Sequence, residues 1–182
     1  MAANLIYLIP LGKLDRSILE FSCHCVHDAF QLDAKIASHK INISLAFDAV
    51  RNQYNSAKLL KDIITNPPAD AFKVFGITDK DLFLPIFTFL FGQAQLNGLG
   101  GLLSYYRLDN RFYGLRADPL LLQDRIRKEI VHELGHNFGL VHCFDPVCVM
   151  RPSTYVEDID QKEAAFCGTC LRQLNDNLRQ YR

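Results

Sequence analysis

The spacing of apolar residues divides the first two thirds of the chain into short strands that alternate with amphipathic helices. Helical spacing predicts one helix from Leu14 to Phe30 and a second over residues 49–65, which ends before Pro67. Five segments carry the continuous or alternating apolar runs that are typical of strands: NLIYLIP, KINISLAF, AFKVFGIT, IFTFLFGQAQL and GGLLSYYRL. This order predicts an α/β protein with a mixed, mostly parallel five-stranded sheet and covering helices.

A third helix carries the clearest signals in the chain. Asp118 is a candidate N-cap residue, and Pro119 fits the first helical position. Beyond them, apolar residues recur every four positions, at Leu122, Ile126, Ile130 and Leu134. We expect this apolar stripe to face the sheet. The helix is predicted to end at Gly139, where a left-handed residue is favoured.

The end of this helix carries the segment HELGHNFGLVHC, residues 132–143. His132 and His136 are four residues apart, so they lie on one face of the helix and turn away from the apolar stripe. Chain reversal after Gly139 can bring His142 back to the same point. Two histidines on a helix are usually polar residues whose hydrogen bonds are satisfied within the protein. Here the third histidine and the placement of the helix end favour a metal site.

Three neutral histidines suit a catalytic zinc ion, because they leave the ion its full charge and a fourth position for water. Glu133 lies beside these ligands without being one of them. As a general base, this glutamate can take a proton from the water and pass it to a leaving amine. The segment therefore predicts metal-assisted hydrolysis of an amide bond.

Composition limits the remaining possibilities. The chain has 182 residues, of which 49% are hydrophobic, and a formal net charge of zero. These values favour one globular domain and argue against nucleic acid as a partner, since no basic excess is available to neutralise phosphates. No apolar stretch approaches the roughly 20 residues needed to cross a bilayer. We therefore expect a cytoplasmic monomer without a membrane partner.

Four of the six cysteines lie in the last quarter of the chain. CFDPVC presents two thiolates across an Asp-Pro turn, and CGTC presents two more at the start of a final helix, LRQLNDNLRQY. In a reducing compartment these spacings favour a closed, structural zinc site over four separate buried thiols. Cys23 and Cys25 diverge by about 200° on a helix, so we interpret them as core residues.

The pattern HExxHxxGxxH, followed by Met150, resembles that of the metzincin zinc peptidases, and the added cysteines make the chain similar to the archaemetzincins. The segments VFGITDKDLF, FTFLFGQAQL and FCGTCLRQL extend this resemblance over most of the chain. RPS after Met150 departs from the Asn-Phe-Ser expected there. The resemblance implies one metzincin-like catalytic domain over residues 1–182, with an N-terminal subdomain at 1–139 and a small C-terminal subdomain at 140–182.

The resemblance also implies roles for individual residues. Glu133 is expected to be catalytic, and Met150 is expected to form a Met-turn beneath the catalytic metal. The catalytic zinc ion is expected to be bound by His132, His136 and His142. A second, structural zinc ion is expected to be bound by Cys143, Cys148, Cys167 and Cys170.

We therefore predict a zinc-dependent peptidase that acts on a peptide or protein substrate and contains two zinc ions. The segment FTFLFGQ can form an edge strand that binds an extended peptide, although phenylalanines that alternate in this way more often belong to a core than to a binding surface. The alternative is a zinc-stabilised peptide- or protein-binding module with little or no hydrolytic activity. Glu133 favours the enzyme, because a pure binding module needs no base beside the open metal position.

Overall fold

The computed structural model describes residues 5–38 and 40–180 of the chain. Asn4, the first residue of the predicted NLIYLIP strand, and Tyr181, the last residue of the predicted final helix, lie outside the described residues. The described ranges contain nine strands: β1 Leu5–Leu11, β2 Ala34–Ile36, β3 Phe47–Asp48, β4 Gln53–Asn55, β5 Ala71–Thr78, β6 Leu82–Leu84, β7 Phe87–Leu90, β8 Gly92–Ala94 and β9 Gly100–Ser104. They also contain five α-helices: α1 Arg16–Phe30, α2 Ser56–Thr65, α3 Pro119–Asn137, α4 Val156–Gln161 and α5 Gly168–Arg179.

The main sheet has five strands in the order β2-β1-β5-β9-β8. The first four strands run parallel, and β8 pairs antiparallel with β9 at one edge. The predicted mixed, mostly parallel five-stranded sheet is therefore confirmed. Nothing in the apolar pattern predicted the second, four-stranded sheet, which has the order β3-β4-β6-β7.

Two of the predicted strands are placed differently in the structure. KINISLAF contains a 3₁₀ helix at Ile43–Ala46 instead of a strand, because the Asn42 side chain accepts a hydrogen bond from the Ser44 N–H and starts a turn. The strand that pairs with β1 at this edge is β2, nearer to α1. IFTFLFGQAQL forms two strands, since the chain leaves the small sheet after β7 and enters the main sheet at β8.

The second predicted helix begins later than its apolar spacing indicated. Residues 53–55 pair in the small sheet as β4, and α2 starts only at Ser56. The side chain of Asn55 marks this start, because it accepts a hydrogen bond from the Lys58 N–H as an N-cap. The first predicted helix likewise starts after its N-cap, Asp15.

The two faces of the main sheet bury different helices, as alternating side chains require. One face packs Phe75 and Leu103 together with α1 and α3, and the other packs Val74 and Leu102 against α2. Helix α3 also contacts β8, so the catalytic segment predicted from the sequence lies beside the antiparallel edge of the sheet. No helix in ranges 5–38 and 40–180 is both long and apolar enough to span a membrane.

Candidate active site

Helix α3 carries His132, Glu133 and His136, with the two histidines one turn apart on the same face. The Asp118 carboxylate accepts from the Leu121 N–H at 3.0 Å and fixes the start of the helix. At the other end Gly139 has φ +85°, a left-handed conformation that turns the chain back on itself. This reversal brings His142 to the other two histidines. One potential ligand atom from each of the three lies within 4.8 Å of the other two.

Backbone carbonyl groups orient two of the imidazole rings. The Nδ1–H of His132 donates to the carbonyl oxygen of Val149 at 2.8 Å, and that of His136 donates to Leu140 at 2.8 Å. Because a carbonyl oxygen can only accept, each Nε2 is left as a neutral acceptor, and the two Nε2 atoms are 3.2 Å apart. Burial lowers the pKa of all three histidines, which keeps them in the neutral form that binds metal.

Met150 lies in a turn that packs against helix α3, where the Arg151 N–H donates to the Cys148 carbonyl oxygen at 3.0 Å. The Met150 side chain is completely buried. Its sulfur packs against Gly135, where an added Cβ atom would come within 2.5 Å of Sδ. The glycine inside the HELGH segment therefore makes room for the methionine that the sequence predicts for this turn.

Glu133 lies against the edge of the main sheet. An added Cβ atom on Gly92, the first residue of β8, would come within 2.5 Å of Glu133 Oε1, so only glycine leaves room for this carboxylate. Burial and the nearby Glu129 carboxylate raise the pKa of Glu133 well above its ordinary value. An elevated pKa suits a group that accepts a proton during the reaction. The sequence analysis did not identify Gly92, since a strand glycine has several possible explanations.

A cavity of about 340 Å³ opens beside these residues. Strand β7 and the start of β8 form one wall, residues 152–154 form the opposite wall, and α3 contributes His132 and Glu133. Phe87 and Phe89 line this cavity and are exposed or half-buried, whereas Phe91 is 5% exposed and belongs to the core. Phe91 also lines the cavity and Phe89 also packs against the core, so these phenylalanines do not divide cleanly between a core and a cavity surface.

Five polar residues that line the cavity were also missed from the sequence: Thr88, Glu129, Ser153, Thr154 and Lys162. Glu129 lies one helical turn before Glu133 on the same face of α3, which is the one signal that the sequence offered. Lys162 follows α4, and Ser153 belongs to the RPS segment after Met150. These two come from parts of the chain whose approach to the cavity depends on the tertiary fold.

The four late cysteines form a second cluster, with one sulfur atom from each lying within 4.8 Å of the others. Cys148 and Cys170 are buried, while Cys143 and Cys167 are partly exposed. The Cys170 N–H lowers the pKa of Cys167 to about 7, so this thiol is substantially deprotonated near neutral pH. Cys23 and Cys25 lie apart from this cluster on α1, and Cys25 packs in the core.

Both donor sets fit zinc. Two nitrogen ligands of one tetrahedral zinc ion are about 3.3 Å apart, and two sulfur ligands are about 3.8 Å apart. The His132 and His136 Nε2 atoms are 3.2 Å apart, and the Cys143 and Cys167 sulfur atoms are 3.8 Å apart. Three imidazoles leave a fourth position of such an ion open, whereas four thiols enclose it.

The fold and this site together define a zinc metallopeptidase of the metzincin type, with a histidine-bearing helix, a glycine reversal and a methionine turn. The model of peptidase family M54 matches residues 31–176. The chain belongs to this family, as an archaemetzincin-type enzyme whose substrates are peptides or proteins.

Individual relatives cover nearly the whole chain. An archaemetzincin of Haloquadratum walsbyi is 34% identical over 173 residues, which are 93% of this chain and 99% of that protein. The crystal structure of archaemetzincin from Methanopyrus kandleri superposes with a TM-score of 0.84 at 32% identity, covering 98% of this chain and 97% of that one. A zinc-dependent peptidase from Methanocorpusculum labreanum gives a TM-score of 0.80 at 31% identity, covering 93% and 100%. These similarities do not favour the alternative of a non-hydrolytic binding module.

Proposed function

We propose that this peptidase hydrolyses peptide bonds in the cleft between β7, β8 and residues 152–154, with Glu133 as its general base. His132, His136 and His142 would bind the catalytic zinc ion. One observation carries this assignment: three neutral imidazoles converge on one point, and a buried carboxylate lies beside them at the mouth of a cavity.

Each group has a separate task in this reaction. When bound, zinc supplies a Lewis acid that polarises a carbonyl group and lowers the pKa of water. The Glu133 carboxylate accepts the proton from the attacking water and holds it until the leaving amine nitrogen takes it. The carbonyl groups of Val149 and Leu140 keep two imidazoles in the required tautomer. The packing of Glu133 against Gly92 holds the base in place.

The edge of the main sheet provides a surface for the substrate backbone. In the described part of the chain, β8 is an edge strand of the main sheet. Its first residue, Gly92, lies against Glu133. An extended peptide can pair with such an edge as an added strand. This arrangement would place a peptide backbone across the face of α3 that carries the histidines.

The cysteine cluster has a different assignment in this proposal. Cys143, Cys148, Cys167 and Cys170 would bind a second zinc ion, with a purely structural role, because four thiols leave no open position. The protein would then contain two zinc ions in one catalytic domain over residues 1–182. Its N-terminal part, 1–139, would form the sheet and histidine helix, and its C-terminal part, 140–182, would be stabilised by the second ion.

The test compares the wild type with Glu133→Gln and His136→Ala in a peptide-library cleavage assay combined with zinc analysis. Glu133→Gln is expected to lose hydrolysis by about 10³-fold or more while it keeps its zinc and binds peptides, because the amide cannot accept the proton. His136→Ala is expected to lose activity together with one zinc ion. Glu163→Gln, an exposed change of the same kind, should behave like the wild type.

The proposal fails if the wild type and Glu133→Gln cleave every peptide equally slowly. It also fails if His136→Ala retains full zinc content and full activity.

A further inference from the structure

Charged and polar side chains contribute to the lining of the cavity. Glu129 and Lys162 are only 3% and 2% exposed, although both line the cavity. Ser153 is half-buried beside them on the opposite wall. The cavity is also lined by apolar residues such as Phe87 and Leu90, so the buried polar groups among them indicate a ligand that has polar atoms as well as apolar ones.

The hydrogen bonds of this group are incomplete. Lys162 Nζ donates to the Arg151 carbonyl oxygen at 3.2 Å and lies 3.4 Å from Glu129 Oε1, close enough for ionic attraction but without hydrogen-bond geometry. Glu129 Oε1 and the Ser153 hydroxyl are buried and have no hydrogen-bond partner within ranges 5–38 and 40–180. Buried polar atoms in folded proteins nearly always have a hydrogen-bond partner, so two atoms without one in the same cavity indicate where ligand atoms bind.

The charges restrict the chemistry of that ligand. The Glu129–Lys162 pair has no net charge, whether its shared proton lies on the amine or on the carboxylate. A substrate carboxylate would lie beside Glu129 and Glu133, and a substrate ammonium or guanidinium group would lie beside Lys162. Either arrangement brings like charges together in a buried site, which is unfavourable. An apolar side chain would leave both unpaired atoms without a partner.

A carboxamide satisfies all of these conditions. Its NH₂ group can donate to Glu129 Oε1 and the Ser153 hydroxyl, and its carbonyl oxygen can accept from Lys162 Nζ. It carries no charge, and a cavity of about 340 Å³ has room for it. Glu133 lies one helical turn from Glu129, so the side chain bound here neighbours the scissile bond.

We propose that Glu129, Ser153 and Lys162 make this peptidase selective for glutamine or asparagine at a residue that flanks the scissile bond. This selectivity rests on the proposed function, since it assigns a side-chain pocket to the same cleft.

The first test measures hydrolysis of peptides that differ at one residue beside the cleaved bond: Gln, Asn, Leu, Lys or Glu. The kcat/KM for the Gln or Asn peptide is expected to exceed that for the Leu, Lys and Glu peptides by about 10-fold or more, because a site built to form hydrogen bonds rejects side chains that leave it unpaired. Equal rates, or a preference for the Leu, Lys or Glu peptide, would overturn the proposal.

The second test changes the pocket. The double variant Glu129→Leu/Lys162→Met removes both charges together and is expected to reverse the preference in favour of Leu. Ser153→Ala is expected to reduce the ratio of kcat/KM for the Gln peptide to that for the Leu peptide by about 3-fold or more. This single variant tests the proposal if the double variant does not fold. Arg16→Met/Glu20→Leu removes an exposed ion pair on α1 and should leave the preference unchanged, as should Ser17→Ala. A full preference for Gln in the pocket variants would overturn the proposal.

Binding separates this proposal from the proposed function. Calorimetry with zinc-loaded Glu133→Gln protein and the same peptides should show tighter binding of the Gln or Asn peptide even if no peptide is hydrolysed. If the wild type hydrolyses none of the five peptides and this binding preference remains, the pocket assignment stands and the catalytic assignment fails. Equal affinities for all five peptides would overturn the pocket assignment.

Discussion

The histidine cluster and the cysteine cluster differ in how the fold supports them. Two of the three histidines lie on one 19-residue helix, and backbone carbonyl groups hold their rings at 2.8 Å. The four cysteines come from the irregular segment 143–148 and from the start of the 12-residue α5. Helix α3 is packed against the main sheet, while the segment that carries Cys143 and Cys148 contains no strand or helix of its own, although Cys148 is buried in the same core.

This difference indicates that the fold forms the histidine site before metal binds, whereas metal at the cysteine site would stabilise the fold. The sheet and α3 build the histidine cluster by packing and hydrogen bonds, so metal binding there adds function to a formed scaffold. The cysteine cluster instead connects an irregular segment to α5, and a metal bound there would cross-link these two parts of the chain in addition to their packing. We therefore expect folding to be largely independent of metal at the first cluster and to depend on metal at the second.

The strongest test of this comparison is metal removal. The wild type is expected to contain two zinc ions, and a chelator should remove one of them quickly, with complete loss of hydrolysis and little loss of structure. The open position of a three-histidine site gives the chelator access, whereas four thiolates enclose their ion. Zinc analysis, activity and circular dichroism during chelation measure these outcomes. A single zinc ion that is unaffected by Cys167→Ser and Cys170→Ser together would exclude the structural site.

The next largest effect concerns stability. Cys170→Ser is expected to lower the free energy of unfolding by about 3 kcal/mol or more, which corresponds to roughly 6–12 °C in Tm for a chain of this size. His142→Ala removes an exposed ligand from a formed cleft and should lower Tm by at most about 4 °C. Thermal melts show which of the two variants has the lower Tm, and Cys23→Ser serves as a control outside the cysteine cluster. If His142→Ala melts as low as Cys170→Ser, the contrast between the two clusters is wrong.

A smaller effect on activity is expected from Gly92→Ala. The new methyl group would overlap Glu133 Oε1 and displace the base, which should reduce kcat/KM by about 10- to 100-fold while zinc content stays the same. Gly168→Ala is the matched control, because an added Cβ there meets only Arg172 at 3.6 Å. Steady-state kinetics with zinc analysis measure both variants. Unchanged kinetics for Gly92→Ala would show that the position of Glu133 does not depend on β8.

The smallest expected effect concerns a hydrogen bond that connects α5, which carries Cys170, to the end of the histidine helix α3. Asn177 on α5 donates from Nδ2 to the Phe138 carbonyl oxygen at 2.6 Å, at the end of the histidine helix. Asn177→Ala should cost about 1 kcal/mol, or roughly 2–4 °C in Tm, and should leave kcat within about 2-fold of the wild type. Asn175→Ala, an exposed change on the same helix, should be neutral. A larger loss of activity in Asn177→Ala would show that α5 controls the histidine helix.

Local signals were sufficient to predict most of the scaffold. The N-cap at Asp118, the apolar stripe of α3 and the left-handed Gly139 are properties of neighbouring residues, and each is present in the structure. The five-stranded sheet followed in the same way from runs such as AFKVFGIT. The spacing of the histidines and of the cysteines likewise predicted which side chains come together.

Features that depend on distant contacts could not be predicted. The apolar residues of KINISLAF alternate as in a strand, yet the Asn42 turn and the short β2 upstream decide the local structure. The small sheet joins strands of two to four residues, which are too short for a periodic signal. Ser153 and Lys162 reach the cavity from segments whose paths are set by the Met150 turn and by α4. Only Glu129 could have been selected by its position on the helix.

The contact between Gly135 and the sulfur of Met150 has a consequence for protein engineering. Replacing a helical glycine by alanine commonly stabilises a protein by about 0.4–1 kcal/mol. Gly135 is therefore an obvious candidate for such a substitution when a more thermostable variant is designed. Here the methyl group would collide with Sδ, so the expected gain becomes a loss. Heat tolerance would have to be engineered into the opening turns of α3, residues 119–124, which are not buried.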